Sequence, residues 1–175
     1  MEATTASVLD RAFVADWAAR YSEAWNAGDG AAVAALCTED VSWFDPGLPE
    51  TVYGRDAVRR FVEQTHRAFS GLHVEELGPP LLSDHEPLAL GPYRMTGTFT
   101  GYWEPLRTAP TGAPFSLDGV DSWLFRDGLM CRYTTYYDSI GMSRQLGILP
   151  PVGSGMDRAM NRLQAVRARF QRRRR

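Results

Sequence analysis

Phe115-Ser-Leu-Asp-Gly-Val-Asp121-Ser-Trp-Leu-Phe125, then Arg126-Asp127-Gly128, then Leu129-Met-Cys-Arg-Tyr-Thr-Thr-Tyr-Tyr-Asp138, reads as two strands joined by a tight hairpin turn. Counting by twos puts Phe115, Leu117, Gly119, Asp121, Trp123 and Phe125 on one face of the first strand. One acid therefore stands on an apolar, aromatic-lined face. Removal from water raises a carboxyl pKa, so Asp121 is expected to hold its proton and donate a hydrogen bond unless a cation pairs with it.

Further strands are expected upstream of this hairpin, at His73–Leu77, Leu88–Leu90 and Tyr93–Trp103, with the proline-rich Leu106–Pro114 as a longer connection. The first seventy residues differ in character. Phe13, Trp17, Tyr21 and Trp25 recur every four residues, which makes an aromatic stripe on a helix from about Val8 to Asn26. Gly28 ends that helix and Asp29 caps a short second one through Ala31–Leu36. Val41–Asp45 reads as a strand stopped by Pro46-Gly47, and Arg55–Phe69 as a third helix. Helices first and an antiparallel meander after them indicate an α+β fold. About three helices would pack on a strongly curved sheet, a cone enclosing an apolar pocket.

The domain is read as residues 8–149. Pro150-Pro151 then separates a C-terminal segment, residues 150–175. There Met156, Met160, Leu163, Val166 and Phe170 form the apolar stripe of an Arg-rich helix. The chain's formal net charge of −2 is unevenly spread, because eight Arg and one Asp after residue 155 leave −9 for the rest. Such a tail could contact nucleic acid or an anionic membrane, but packing on its own domain or on a partner subunit is the favoured expectation. The two cysteines, Cys37 and Cys131, have no metal-ligand spacing, so no metal site is expected. The first residues lack the basic start and apolar run of a secretory signal, which makes a cytoplasmic location the expectation.

Two more residues join Asp121. Asp45 ends a strand in which Val41 and Trp43 share its face, and Tyr21 lies on the inner stripe of the first helix. A carboxylate base, a phenol and a neutral carboxylic acid suit one chemistry: removal of a proton next to a carbonyl and stabilisation of the oxyanion that results. The stretches Tyr21-Ser-Glu-Ala-Trp-Asn-Ala-Gly-Asp29 and Ala35-Leu-Cys-Thr-Glu-Asp-Val-Ser-Trp-Phe-Asp45-Pro resemble ketosteroid isomerase, of the nuclear transport factor 2-like superfamily. The resemblance implies that Tyr21 is an oxyanion-hole tyrosine, Asp45 the general base and Asp121 the protonated acid.

Leu106-Arg-Thr-Ala-Pro-Thr-Gly112, Gly119-Val-Asp121 and Arg144-Gln-Leu-Gly147 resemble SnoaL-like polyketide cyclases and limonene epoxide hydrolases instead. Against those families the catalytic aspartate position falls on Thr135. The epoxide hydrolase arginine and acid positions fall on Tyr102 and Glu104.

The expectation is an isomerase or cyclase acting without cofactor on an apolar, carbonyl-containing molecule, steroid-like or polyketide-like. The substrate would be lined by Trp17, Trp25, Trp43, Phe99, Trp103 and Trp123. Two alternatives stay open: epoxide opening with Glu104 or Asp138 as the acid, and a non-catalytic ligand-binding or assembly module. The resemblance also implies a homodimer.

Overall fold

The computed structural model describes residues 9–172; the expected helix start at Val8 and the last three arginines lie outside them. Helix α1 (Arg11–Asn26) is capped by Asp10, whose carboxylate accepts from the Ala12 amide at 3.3 Å. It stops where Gly28 adopts φ +68°, a conformation that favours glycine. Asp29 then accepts from the Ala32 amide at 2.9 Å and starts α2 (Gly30–Ala35). Strands β1 (Cys37–Phe44) and β2 (Val52–Tyr53) follow, then α3 (Arg55–Ala68) and β3 (Phe69–Glu76). The remaining strands are β4 (Leu81–Leu82), β5 (Leu88–Phe99), β6 (Pro114–Arg126) and β7 (Leu129–Tyr137). Two helices close the chain, α4 (Ser139–Gln145) and α5 (Gly155–Arg172).

The sheet runs β2-β1-β7-β6-β5-β3, with β4 also on β5. The pairing of β1 with β7 is parallel and the other pairings are antiparallel, which makes the sheet mixed. The β6–β7 hairpin turns at Asp127 and Gly128, both with positive φ, as a two-residue turn requires.

Two expected strands, Leu88–Leu90 and Tyr93–Trp103, are one: β5 runs unbroken through Gly91 and Pro92. Pro92 pairs with Val120 of β6, while its carbonyl accepts from the Leu77 amide on the opposite side. Main-chain N and O of one strand residue point the same way. The missing N–H therefore falls in the gap between β3 and β4, where no partner needs it.

The α+β cone is as expected, with the concave face of the sheet packed against α1 and α3. The inward row of β6 is buried at Phe115, Leu117, Asp121, Trp123 and Phe125, as alternation requires. The end of the cone beyond β7 is closed by α4. The Gln145 side chain accepts from the Ser116 amide at 2.9 Å and donates to the Ser116 carbonyl at 3.1 Å. An amide side chain thus takes the place of a neighbouring strand on the free edge of β6, while Met142 and Leu146 turn into the core.

Helix α5 corrects an expectation. It buries none of its residues, so its apolar stripe does not pack on its own domain. Among the described residues no helix is long and apolar enough to cross a membrane.

Candidate active site

Asp121 is 5% exposed, with no cation in an ion pair with it among the described residues. Its partners are hydroxyls. Tyr133 donates to Asp121 Oδ1 at 2.7 Å, and Thr135 stands directly opposite Asp121 in the β6–β7 register. Burial raises the Asp121 pKa from 3.8 to about 7; the Tyr133 and Thr135 hydroxyls pull it down and the charge of Asp45 pushes it up. Thr135 in turn shares a 2.8 Å hydrogen bond with the Tyr93 hydroxyl.

Tyr21 reaches this cluster from α1. Its ring centroid lies 6.3 Å from that of Tyr133 and 5.9 Å from that of Trp123. Burial first, and the Asp121 charge second, push its phenol well above the ordinary value, so it is a neutral donor.

Asp45 sits just past the end of β1, where the chain turns at Pro46. Tyr137 donates to its Oδ1 at 2.6 Å and the Gly47 amide donates to the same oxygen at 2.7 Å. One carboxylate oxygen is thus held by two donors, while Oδ2 has no such bond among the described residues. Burial raises the Asp45 pKa, and these two bonds hold it down. Since Phe44 pairs with Thr134 and Asp121 with Thr135, Asp45 and Asp121 flank β7 on opposite sides. Two strand spacings separate their backbones, about 10 Å. Tyr21 and Asp121 line the same small space, and Asp45 lies on the other side of β7.

The expected pocket residues divide into two groups. Trp17, Trp25, Trp43 and Trp123 gather around Tyr21: Trp17 stacks on Tyr21 at 5.2 Å, Trp43 on Tyr133 at 3.7 Å and Trp25 on Trp43 at 5.9 Å. Phe99 and Trp103 pack at the other end against Phe69, at 5.1 and 5.3 Å.

The open apolar pocket expected from the fold is absent among the described residues, because these rings fill it. The space left beside Tyr21, Tyr93, Asp121 and Trp123 is ≈ 10 Å³, scarcely one water. A larger cleft of ≈ 380 Å³ lies outside, between the Leu48–Tyr53 loop, Phe61 of α3 and Pro105. The packed interior leaves the buried indole N–H groups of Trp17, Trp25, Trp43, Trp103 and Trp123 without an acceptor among the described residues. Each such donor costs about 1–3 kcal/mol relative to a satisfied one.

Glu104 and Asp138 lie elsewhere. Glu104 is exposed, bonded by Gln64 at 2.5 Å and near Arg67 at 3.8 Å. Asp138 is exposed too and caps α4, accepting from the Gly141 amide at 2.7 Å. Three site tyrosines, Tyr93, Tyr133 and Tyr137, escaped the sequence reading. Alternation along β7 would have put Tyr133, Thr135 and Tyr137 on one face, and the hairpin register would have set Thr135 beside Asp121. Among the described residues no cluster of metal-ligating side chains occurs.

A family model described as a SnoaL-like domain matches residues 18–133, well over half of the chain. The chain belongs to the SnoaL-like family. The family lies in the nuclear transport factor 2-like superfamily, which agrees with the cone. Comparison with curated proteins gives no match. Among solved structures, this SnoaL-like chain is similar to TsrD from Streptomyces laurentii, at 23% identity and TM-score 0.68, over 81% of this chain and 99% of that one. AclR from Streptomyces galilaeus is 21% identical with TM-score 0.66, over 93% and 98%. A candidate polyketide cyclase from Pseudomonas putida is 20% identical with TM-score 0.60, over 75% and 96%. At these identities the structures speak for the fold alone.

Proposed function

We propose that this SnoaL-like protein is an isomerase or cyclase that moves a proton next to a carbonyl group of an apolar small molecule. The observation that carries the reading is the pair of interior acids in unlike settings. Asp121 is enclosed by hydroxyls with its pKa at about 7, and Asp45 is held through one oxygen at the end of a strand. Burial raises both acids, and it is their unlike hydrogen-bond settings that let them divide the roles of base and hydrogen-bond donor.

In the proposed reaction Asp45 Oδ2 takes the proton from the carbon beside the carbonyl. The C–H electron pair moves into the new C=C bond and charge gathers on the carbonyl oxygen. Tyr21 and protonated Asp121 donate hydrogen bonds to that oxygen, with Tyr133 fixing the Asp121 carboxyl. Asp45 then returns its proton to another carbon, or the enolate carbon attacks a second carbonyl to close a ring, the C=O π pair moves to that oxygen, and Asp45 gives its proton to the resulting alkoxide. No redox partner enters either course.

Substrate binding requires the tryptophan rings to move apart, and the five unsatisfied indole donors favour that change when the incoming molecule carries acceptor oxygens.

The test is deuterium exchange next to the carbonyl in a panel of cyclic enones and poly-β-ketones, with 2-naphthol binding as a measure of the oxyanion site. Asp45→Asn is expected to slow exchange by about 10²–10⁴-fold while naphthol still binds. Unchanged exchange in that variant overturns the reading.

A further inference from the structure

Helix α5 is eighteen residues long and every large apolar side chain on it is exposed, Leu163 at 72% and Phe170 at 63%. At 100° per residue, Met156, Met160, Leu163, Val166 and Phe170 fall within one stripe about 120° wide. Arg158, Arg162 and Arg169 run along one flank of it, and Arg167 falls inside it. Between Met156 and Phe170 the stripe is about 21 Å long. Among the described residues, Arg162, Arg167, Arg169 and Arg172 enter no ion pair.

The complementary surface lies on the body of the domain. From Ala68 to Tyr93 the chain has four acids, Glu75, Glu76, Asp84 and Glu86, and no arginine. None of the four is in an ion pair among the described residues. The end of β3 and all of β4 lie one after the other along the same edge of β5, with Glu75 opposite Arg94 and Leu82 opposite Ala89. That edge is about 17 Å long at strand spacing. Leu77 and Leu81 stand exposed on it, at 44% and 61%. An acid-rimmed apolar edge thus matches an arginine-rimmed apolar helix in both length and charge. A helix laid over a sheet edge is also a common way to protect it.

We propose that α5 of one copy docks on the β3–β4 edge of a second copy, so that two chains exchange C-terminal helices about a two-fold axis. Docking on its own edge is not what the structure shows, since α5 buries nothing there. Pairing of α5 with α5 sets like charge against like. Exchange between two copies meets both objections, and an isologous arrangement closes at the dimer.

Sedimentation velocity on the full chain tests this, with circular dichroism as the control for folding. The wild type is expected to be a dimer that weakens as salt rises. Leu163→Glu with Val166→Glu, Arg162→Glu with Arg169→Glu, and Glu75→Arg with Glu76→Arg are each expected to raise the dimer Kd at least tenfold. Combining the two charge reversals is expected to bring it back to within about threefold of wild type. A wild-type monomer at 100 µM overturns the proposal, as does a dimer indifferent to the Leu163 and Val166 changes. Failure of the charge swap to restore dimerisation overturns it as well. So does a monomer that binds phosphatidylserine vesicles equally well with and without the Glu75 and Glu76 reversals, since the occupant is then lipid.

Discussion

Asp121→Asn keeps the shape of the interior acid and removes its charge. In the folded protein the carboxyl has its pKa at about 7, against 3.8 when exposed, because burial outweighs the hydrogen bond from Tyr133. A raised folded pKa means that the native state binds the proton more tightly than the unfolded chain. Its contribution to stability is therefore complete below about pH 4 and is lost as pH climbs to about 7. The gap corresponds to about 4 kcal/mol over the whole window, or about 1.4 kcal/mol for each pH unit in its middle.

The asparagine variant lacks this component, while its side-chain oxygen can still accept from Tyr133. Urea unfolding followed by tryptophan fluorescence, from about pH 4 to pH 8, reads the difference. The stability of wild type relative to the variant is expected to fall steadily across that window and to level off above pH 7. Two curves that run parallel from end to end would refute the reasoning, because Asp121 would then be ionised and compensated in the fold.

Tyr137→Phe removes one of the two bonds that hold the Asp45 pKa down, so the Asp45 titration moves further upward, readable by carbon NMR of labelled aspartate. If Asp45 acts as the base, the acid limb of the exchange rate moves up with it. Gly91→Ala tests the packing of the interior: a Cβ there would lie 2.2 Å from the Trp123 ring. Overpacking of this kind costs about 1–3 kcal/mol, measured as a lower urea midpoint. Tyr133→Phe leaves Asp121 without its 2.7 Å donor, and its titration rises beyond that of wild type.

The cone was legible wherever a period was clean. The inward row of β6, the hairpin turn, the α1 stripe and the caps at Gly28 and Asp29 all follow from local spacing. Pro92 misled, because a proline inside a strand reads as a break until the gap between β3 and β4 shows that its missing N–H is not needed. Tyr21, Asp45 and Asp121 were legible as residues through alternation and resemblance. The tyrosines that hold the two acids were not, because Asp121–Tyr133 and Asp45–Tyr137 depend on strand register and, for the second, on a parallel β1–β7 pairing. The filled interior was illegible for a similar reason. Spacing places four tryptophans on the inner faces but does not say whether their rings line a space or stack across it.

The most direct measurement of the central claim is a carbon-13 NMR titration of the aspartate carboxyls in the full chain, with Asp121→Asn to assign the signal. The account predicts an Asp121 midpoint near pH 7, so that the carboxyl can act as a hydrogen-bond donor around neutral pH. A midpoint at or below about 4, the ordinary value for aspartate, would contradict it.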